Sequence, residues 1–316
     1  MTPWGRLAVG LDNPIVVKEG VSRMRTWRAP VVATLYLGLI GAVGFAWLNL
    51  GETTGQFTDG RPIAAIVGSQ AFGAMAFFQL GLVCLFAPAL AAGAISGERE
   101  RQTLDVLLVS RVSAFGIVWG KLVASMAYVL LLILTALPLF AAVFLFGGID
   151  FSQFVLSQVV TIATAFCLGA VAIFFSAVFQ RTLAATVSSY AAAFALTFGT
   201  ALLGIVVSAS QTLSRSGSGL VQFPGQWYLN PFFALYDALN PVTTPISLRQ
   251  YLQMLVLGVP PSGPGTGPAL SPWMVCISFE VVLATAAVIG AVFLVRGRRI
   301  FRPRRTLDPA DVTEAI

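Results

Sequence analysis

The sequence predicts an all-α integral membrane protein with six transmembrane helices and both termini in the cytoplasm. Three observations lead there. The 316 residues are 57% hydrophobic and only 10% charged, with a mean hydropathy of +0.85. Soluble domains carry about 25% charged residues, and so little polar surface cannot cover a water-soluble core of this length. Six stretches reach the roughly twenty mostly apolar residues that cross a bilayer. With the N-terminus inside, sixteen of the 19 Lys and Arg residues fall on inside segments and three on outside segments. That asymmetry is the positive-inside bias of a multi-pass protein of the cell's inner (plasma) membrane. The chain divides into a cytoplasmic interfacial helix (residues 1–29), a six-span bundle (30–295) with an outer segment (210–271), and a basic cytoplasmic tail (296–316).

NPIVVKEGVSRMRTWR, Asn13 to Arg28, opens with an Asn cap and a Pro at the first helical position. At helical spacing Val17, Val21, Met24 and Trp27 share one face, and Lys18, Glu19, Arg23 and Arg25 the other. An apolar stripe backed by a basic face describes a helix lying in the inner interface of the lipid bilayer. No short apolar stretch with a small-residue cleavage site precedes the first span, so a cleavable signal peptide is not expected.

The spans run over Pro30–Leu50, Ile66–Ile95, Ile117–Phe146, Phe154–Phe179, Leu183–Ala209 and Pro272–Val295. The second and third are long enough to tilt or to project from the bilayer. Between them lies GERERQTLDVLLVS, Gly97 to Ser110, a dense charge cluster in a chain poor in charge. Ser96 is placed to cap a helix start, with Glu98 and Glu100 in its first turn. Leu104, Leu107, Leu108 and Arg111 follow helical spacing, which predicts an amphipathic helix over Arg101–Val112. Lys121 stands close enough to the cytoplasmic face to snorkel.

The outer segment, Ser210 to Ser271, is too long to be structureless. QWYLNPFFALYDALNP predicts a short helix bounded by Pro231 and Pro241, and SLRQYLQMLVLG predicts a second, followed by the flexible tether PPSGPGTGP. Ala and Ser concentrate over Ala184–Ala195, where small residues permit close helix contact. Glu280 alone stands well inside an apolar helix, and intramembrane carboxylates are functional by default.

Chemistry-bearing constellations are missing. Histidine is absent, which removes the commonest acid–base residue and zinc ligand. Cys84, Cys167 and Cys276 lie far apart in apolar runs and read as small buried hydrophobes, with no metal set. GIVWGKL, Gly116 to Leu122, is one residue short of a phosphate-cradling loop and lacks its hydroxyl. No Gly-x-Ser-x-Gly elbow exists, so the chain is not expected to be an enzyme. The formal charge of +6 is not gathered into a basic stripe with aromatics, which argues against nucleic acid.

ISGERERQTLDVLLVSRVSAFGIVWGKL, Ile95 to Leu122, closely resembles the I-x-x-E-R-E-x-x-T-L-x-x-L-L pattern, followed by a group ending in Gly-Lys, of type-2 ABC exporter permease subunits. NPIVVKE at Asn13–Glu19 and NPFFALYDALNP at Asn230–Pro241 are similar to two further segments of such permeases. One departure is Gln102, where that pattern has Gly before Thr.

The resemblance implies a separate cytoplasmic ATPase that binds ATP and Mg, while this chain holds no cofactor or metal itself. It implies that Glu98, Arg99, Glu100, Arg101, Thr103, Leu104 and Asp105 form or brace a coupling helix, with the turn containing Gln180 and Arg181 as a second contact. Lys18, Glu19, Arg23 and Arg25 would belong to the interfacial helix, and a second permease chain would complete a homodimer or heterodimer. Few charges line the spans, so the expected cargo is amphipathic or lipophilic, with Glu280, Asn230 and Asp237 as candidates for the pathway or outer gate. Two alternatives stand beside the exporter. One is an ABC membrane subunit that drives a periplasmic maturation process. The other is an ATPase-independent secondary transporter, which calls for inverted repeats and broken spans.

Overall fold

The computed structural model describes residues 27–53, 63–102, 113–214, 225–240, 246–247 and 269–300. The helices are α1 (Arg28–Thr53), α2 (Ile63–Ala91), α3 (Gly93–Glu100), α4 (Ala114–Phe144), α5 (Phe151–Val178), α6 (Thr182–Phe194), α7 (Thr200–Ser214), α8 (Pro231–Leu239) and α9 (Pro272–Ile300). A π-turn, Ala195–Gly199, joins α6 to α7, and a 3₁₀ turn, Gly225–Leu229, precedes α8. A two-residue antiparallel ladder pairs β1 (Ile246–Ser247) with β2 (Ala269–Leu270).

Six helical stretches are long and apolar enough to cross a membrane: Ala29–Leu50, Ala64–Glu100, Ala114–Phe144, Phe151–Val178, Thr182–Val207 and Pro272–Arg296. They are the six spans expected, with shifted ends. The interfacial helix with Lys18, Glu19, Arg23 and Arg25, the stretch 103–112, residues 248–268 and the tail 301–316 lie outside the described residues.

The largest shift is at the second span. Helix continues from α2 through a single turn residue, Ala92, into α3 and ends at Glu100. Ser96 therefore sits buried in a helix interior, donating from Oγ to Ala92 O at 3.1 Å, and caps no helix start. Glu98 and Glu100 occupy the last turn of that helix, not a first turn. The interruption is bracketed by Pro88, which lacks an amide hydrogen, and Gly93, a weak helix former.

α5 is the hub. The apolar window of this helix is 61% buried inside the protein, against 17% for the windows of α1 and the fifth span. Around it lie two stacked cores. One, toward Glu100, is built mainly from alanines such as Ala87, Ala91, Ala172, Ala177 and Ala291. Small side chains let helix backbones approach closely where no hydrophobic force separates protein from lipid. The other, toward the α4–α5 loop, is filled by Tyr36, Phe72, Met75 and Phe140, with Phe72 and Phe140 edge-to-face at 5.1 Å.

α1 is set back along the bundle. Tyr128 donates from its hydroxyl to Ala29 O at 2.9 Å, which levels the start of α1 with the middle of α4. Tyr128 lies about 21 Å along α4 from its first residue at 1.5 Å per residue. The end of the bundle that carries Glu98, Arg99 and Glu100 thus extends well past the start of α1.

At the opposite end, Gly148 turns the chain into α5 with φ +86°, and a Cβ there would fall onto the Ala65 carbonyl. Asp150 then starts α5 through a reciprocal capping box with Gln153. Gly148→Ala is expected to lower stability by more than the roughly 1–2 kcal/mol of a left-handed backbone alone, read as a fall in thermal unfolding midpoint in detergent. An unchanged midpoint would contradict the close approach of this turn to α2.

Candidate functional site

Three helix ends meet at the charged end of the bundle, and each leaves backbone groups without helical partners. Ser176 of α5 serves the first. Its Oγ accepts from Ile95 N and Ser96 N, both at 2.9 Å, and donates to Ser96 Oγ at 3.2 Å. A serine from another span thus caps the α3 amides freed by the interruption at Ala92.

Arg99 serves the second. Its Nη1 donates to Phe179 O at 2.8 Å and its Nη2 to Ala177 O at 3.1 Å, closing the C-terminal carbonyls of α5. A guanidinium there also meets the negative end of the helix dipole. Glu100 serves the third. Its Oε1 accepts from Thr182 N at 2.7 Å, and the Thr182 hydroxyl lies 3.1 and 2.9 Å from its two oxygens. The α6 N-cap residue, Arg181, makes no side-chain cap of its own, so Glu100 supplies one from another helix, at the positive dipole end.

Glu98 faces the other way, toward α4. It lies 3.5 Å from Lys121 Nζ, whose side chain is only 3% exposed. The lysine expected to snorkel is therefore buried and balanced by a carboxylate. Glu98, Arg99 and Glu100, three consecutive residues, together clasp the early turns of α4, the end of α5 and the start of α6 onto α3.

Arg101, Gln102, Gln180 and Arg181 are exposed beside this clasp, and Arg181 lies within electrostatic range of Glu100. Thr103, Leu104 and Asp105 lie outside the described residues. Gln102 adopts φ +59°, and its amide donates to Arg99 O at 3.0 Å. This is the left-handed position just past a helix C-cap, where glycine carries no steric penalty. The departure from Gly noted in the sequence therefore falls where glycine fits best.

The sequence matches the family described as ABC-2 family transporter protein over residues 15–298. This chain belongs to the ABC-2 transporter family. No curated protein matches it. The match accords with a membrane permease that carries no catalytic machinery of its own.

Asn230, Asp237 and Glu280 of this ABC-2 chain lie away from the clasp. Asn230 caps α8, accepting from Phe232 N at 2.8 Å and Phe233 N at 3.3 Å, with Pro231 at the first helical position. Its amide donates to Thr197 O at 2.5 Å and Thr200 Oγ1 at 2.9 Å. Thr197 belongs to the π-turn, whose widened ladder turns carbonyls outward. The outer helix is thereby fastened to the fifth span, and the Trp227 ring lies directly over Gly204, where any Cβ would collide with it.

Phe77, Thr197, Phe198, Trp227, Asn230 and Tyr236 surround a cavity of about 520 Å³, almost wholly apolar. Asp237 is buried in α8. Burial pushes the nearby Tyr228 phenol up to about 12, with the Asp237 charge adding to the effect, so the phenol stays protonated. Glu280 is 1% exposed between α9 and α5, against Thr164.

The partners Ser176, Thr182, Thr164 and Lys121 were not singled out for these roles by the sequence. Ser176, Thr164 and Lys121 are polar side chains within apolar runs, whereas Thr182 closes the polar turn Gln180–Thr182.

Two outcomes check the clasp. Glu98→Ala leaves Lys121 buried without its carboxylate, a loss of about 3–5 kcal/mol for a fully buried pair and less here, since Glu98 is 35% exposed. Glu98→Leu combined with Lys121→Met is expected to melt above Glu98→Ala; the reverse order would refute the pairing. Gln102→Gly is expected to raise stability by about 1 kcal/mol, and Gln102→Val to lower it, both read from thermal unfolding.

Proposed function

We propose that this ABC-2 chain is the membrane-spanning permease subunit of an ATP-driven exporter, coupled to a separate cytoplasmic ATPase that binds the ATP and Mg. Its charged end, with both termini, faces the cytoplasm of the plasma membrane, as the distribution of Lys and Arg supports. The observation that carries the reading is the clasp. A push on the exposed group Arg101, Gln102, Gln180 and Arg181 would pass through Glu98, Arg99 and Glu100 to the end of α5, the start of α6 and the early turns of α4. The set-back of α1 supports the same reading, because the clasp's contact on α4, Lys121, lies about 10 Å beyond Tyr128, which is level with the start of the first span.

The cargo is amphipathic or lipophilic. The aromatic cavity under α8, with Asn230 and Thr197 as polar points, is of the size and character that binds such molecules. α1 and the fifth span, least buried of the six, supply apolar faces for lipid and for a second permease chain, identical or related.

Arg101→Glu with Arg181→Glu tests the coupling. Both side chains are exposed, so thermal stability is expected to stay within about 0.5 kcal/mol, while co-purifying ATP-binding subunit and transport-linked ATP hydrolysis fall severalfold. Absence of any ATP-binding subunit from the unsubstituted protein, with full transport by the double variant, would overturn the reading.

A further inference from the structure

Thr164 raises a question of proton count. Its Oγ1 lies 3.0 Å from Val160 O and 2.8 Å from Glu280 Oε1. A hydroxyl has one proton to give and lone pairs to receive with. One proton faces two acceptors, and a hydroxyl that back-bonds to Val160 O, as helical threonines do, has only lone pairs left for Glu280. The second contact is then a full hydrogen bond only when the carboxyl donates to Thr164. An ionised Glu280 would instead compete with Val160 O for a single proton.

The surroundings agree. Glu280 is 1% exposed, and its Oε2 has no hydrogen-bond partner among the described residues. Cys84 of α2, Cys167 of α5 and Cys276 of α9 lie within electrostatic range of the carboxyl, and all three are free thiols. Among the described residues, the charged groups on other elements packed against α9 are Lys121 of α4, held by Glu98, and Asp237 of α8, beside Tyr228; the tyrosines there are Tyr128, Tyr228 and Tyr236. No group of three or more metal-binding side chains occurs among the described residues. A carboxylate here would lose several kcal/mol of hydration with no counter-charge among the described residues, and such a group takes up a proton instead.

We propose that Glu280 is a proton-binding site closed between α5 and α9, neutral while the two helices are packed and ionised when they part. The site is independent of the permease reading. Its consequence is a linkage: a proton leaves as water reaches the carboxyl, so raising the pH favours the parted form. Three thiols, the only cysteines in the chain, line the same place and report on its opening.

Infrared spectroscopy of the full-length protein in lipid tests the protonation state. The difference between unsubstituted protein and Glu280→Gln at neutral pH is expected to contain the carbonyl band of a protonated carboxyl. Loss of a carboxylate band pair instead would overturn the proposal. Should Glu280→Gln fail to accumulate, carbon-13 glutamate labelling of the unsubstituted protein decides by the presence or absence of an isotope-shifted protonated-carboxyl band.

Alkylation of the thiols by a membrane-permeant maleimide tests the linkage. Intrinsic thiol reactivity cancels in the ratio of rates between unsubstituted protein and Glu280→Gln, which is expected to rise with pH by up to about tenfold per unit for one proton. A flat ratio would refute the linkage.

Discussion

Helix ends must be satisfied, and in this protein several of them are satisfied by one another. The first amides of α3, the last carbonyls of α5 and the first amides of α6 lie together at one end of an apolar bundle. The α3 amides are buried and the α5 carbonyls half-buried, where an unpaired backbone group is costly, while the start of α6 is exposed. Ser176, Arg99 and Glu100 meet the need, each reaching from a different helix to the end it closes. Because α3 caps α5 and α6 while α5 caps α3, none of these ends can move freely without exposing the groups of another.

The rest of the bundle follows from that constraint. Alanine-rich packing beside the clasp keeps α2, α4, α5 and α9 at close range, where capping side chains as short as serine can reach across. Larger aromatics fill the other half, where the α4–α5 turn and the outer helix α8 close the structure. Asn230 there does for α8 and the π-turn what Glu100 does for α6, joining a helix start to a loosened backbone in another span. The chain is thus pinned at both ends, and the Glu280–Thr164 contact lies between α5 and α9, the pair of described helices that pack most extensively on each other.

Much of this was legible in the sequence, and the exceptions have a common cause. Spans are written in runs of local hydropathy, so all six were found, and the short helix after Asn230 was marked by its bounding prolines, Pro231 and Pro241. Ser96 misled because a serine before two glutamates is also what a helix interior looks like when its caps arrive from elsewhere. Lys121 lies near a span end, but Glu98, twenty-three residues away, made burial affordable. The cysteines are far apart along the chain, and nothing local shows that α2, α5 and α9 bring them round one carboxyl. In each case the missing information was a partner on another helix.

Amide hydrogen exchange tests the mutual capping most directly. The account predicts that Glu100→Ala speeds exchange at Thr182 and the first turn of α6, and that Ser176→Ala speeds it at Ile95 and Ser96. Either substitution should also loosen the other site, because the ends share α5 and α3. Exchange at Thr182 that is unchanged by Glu100→Ala would contradict the account.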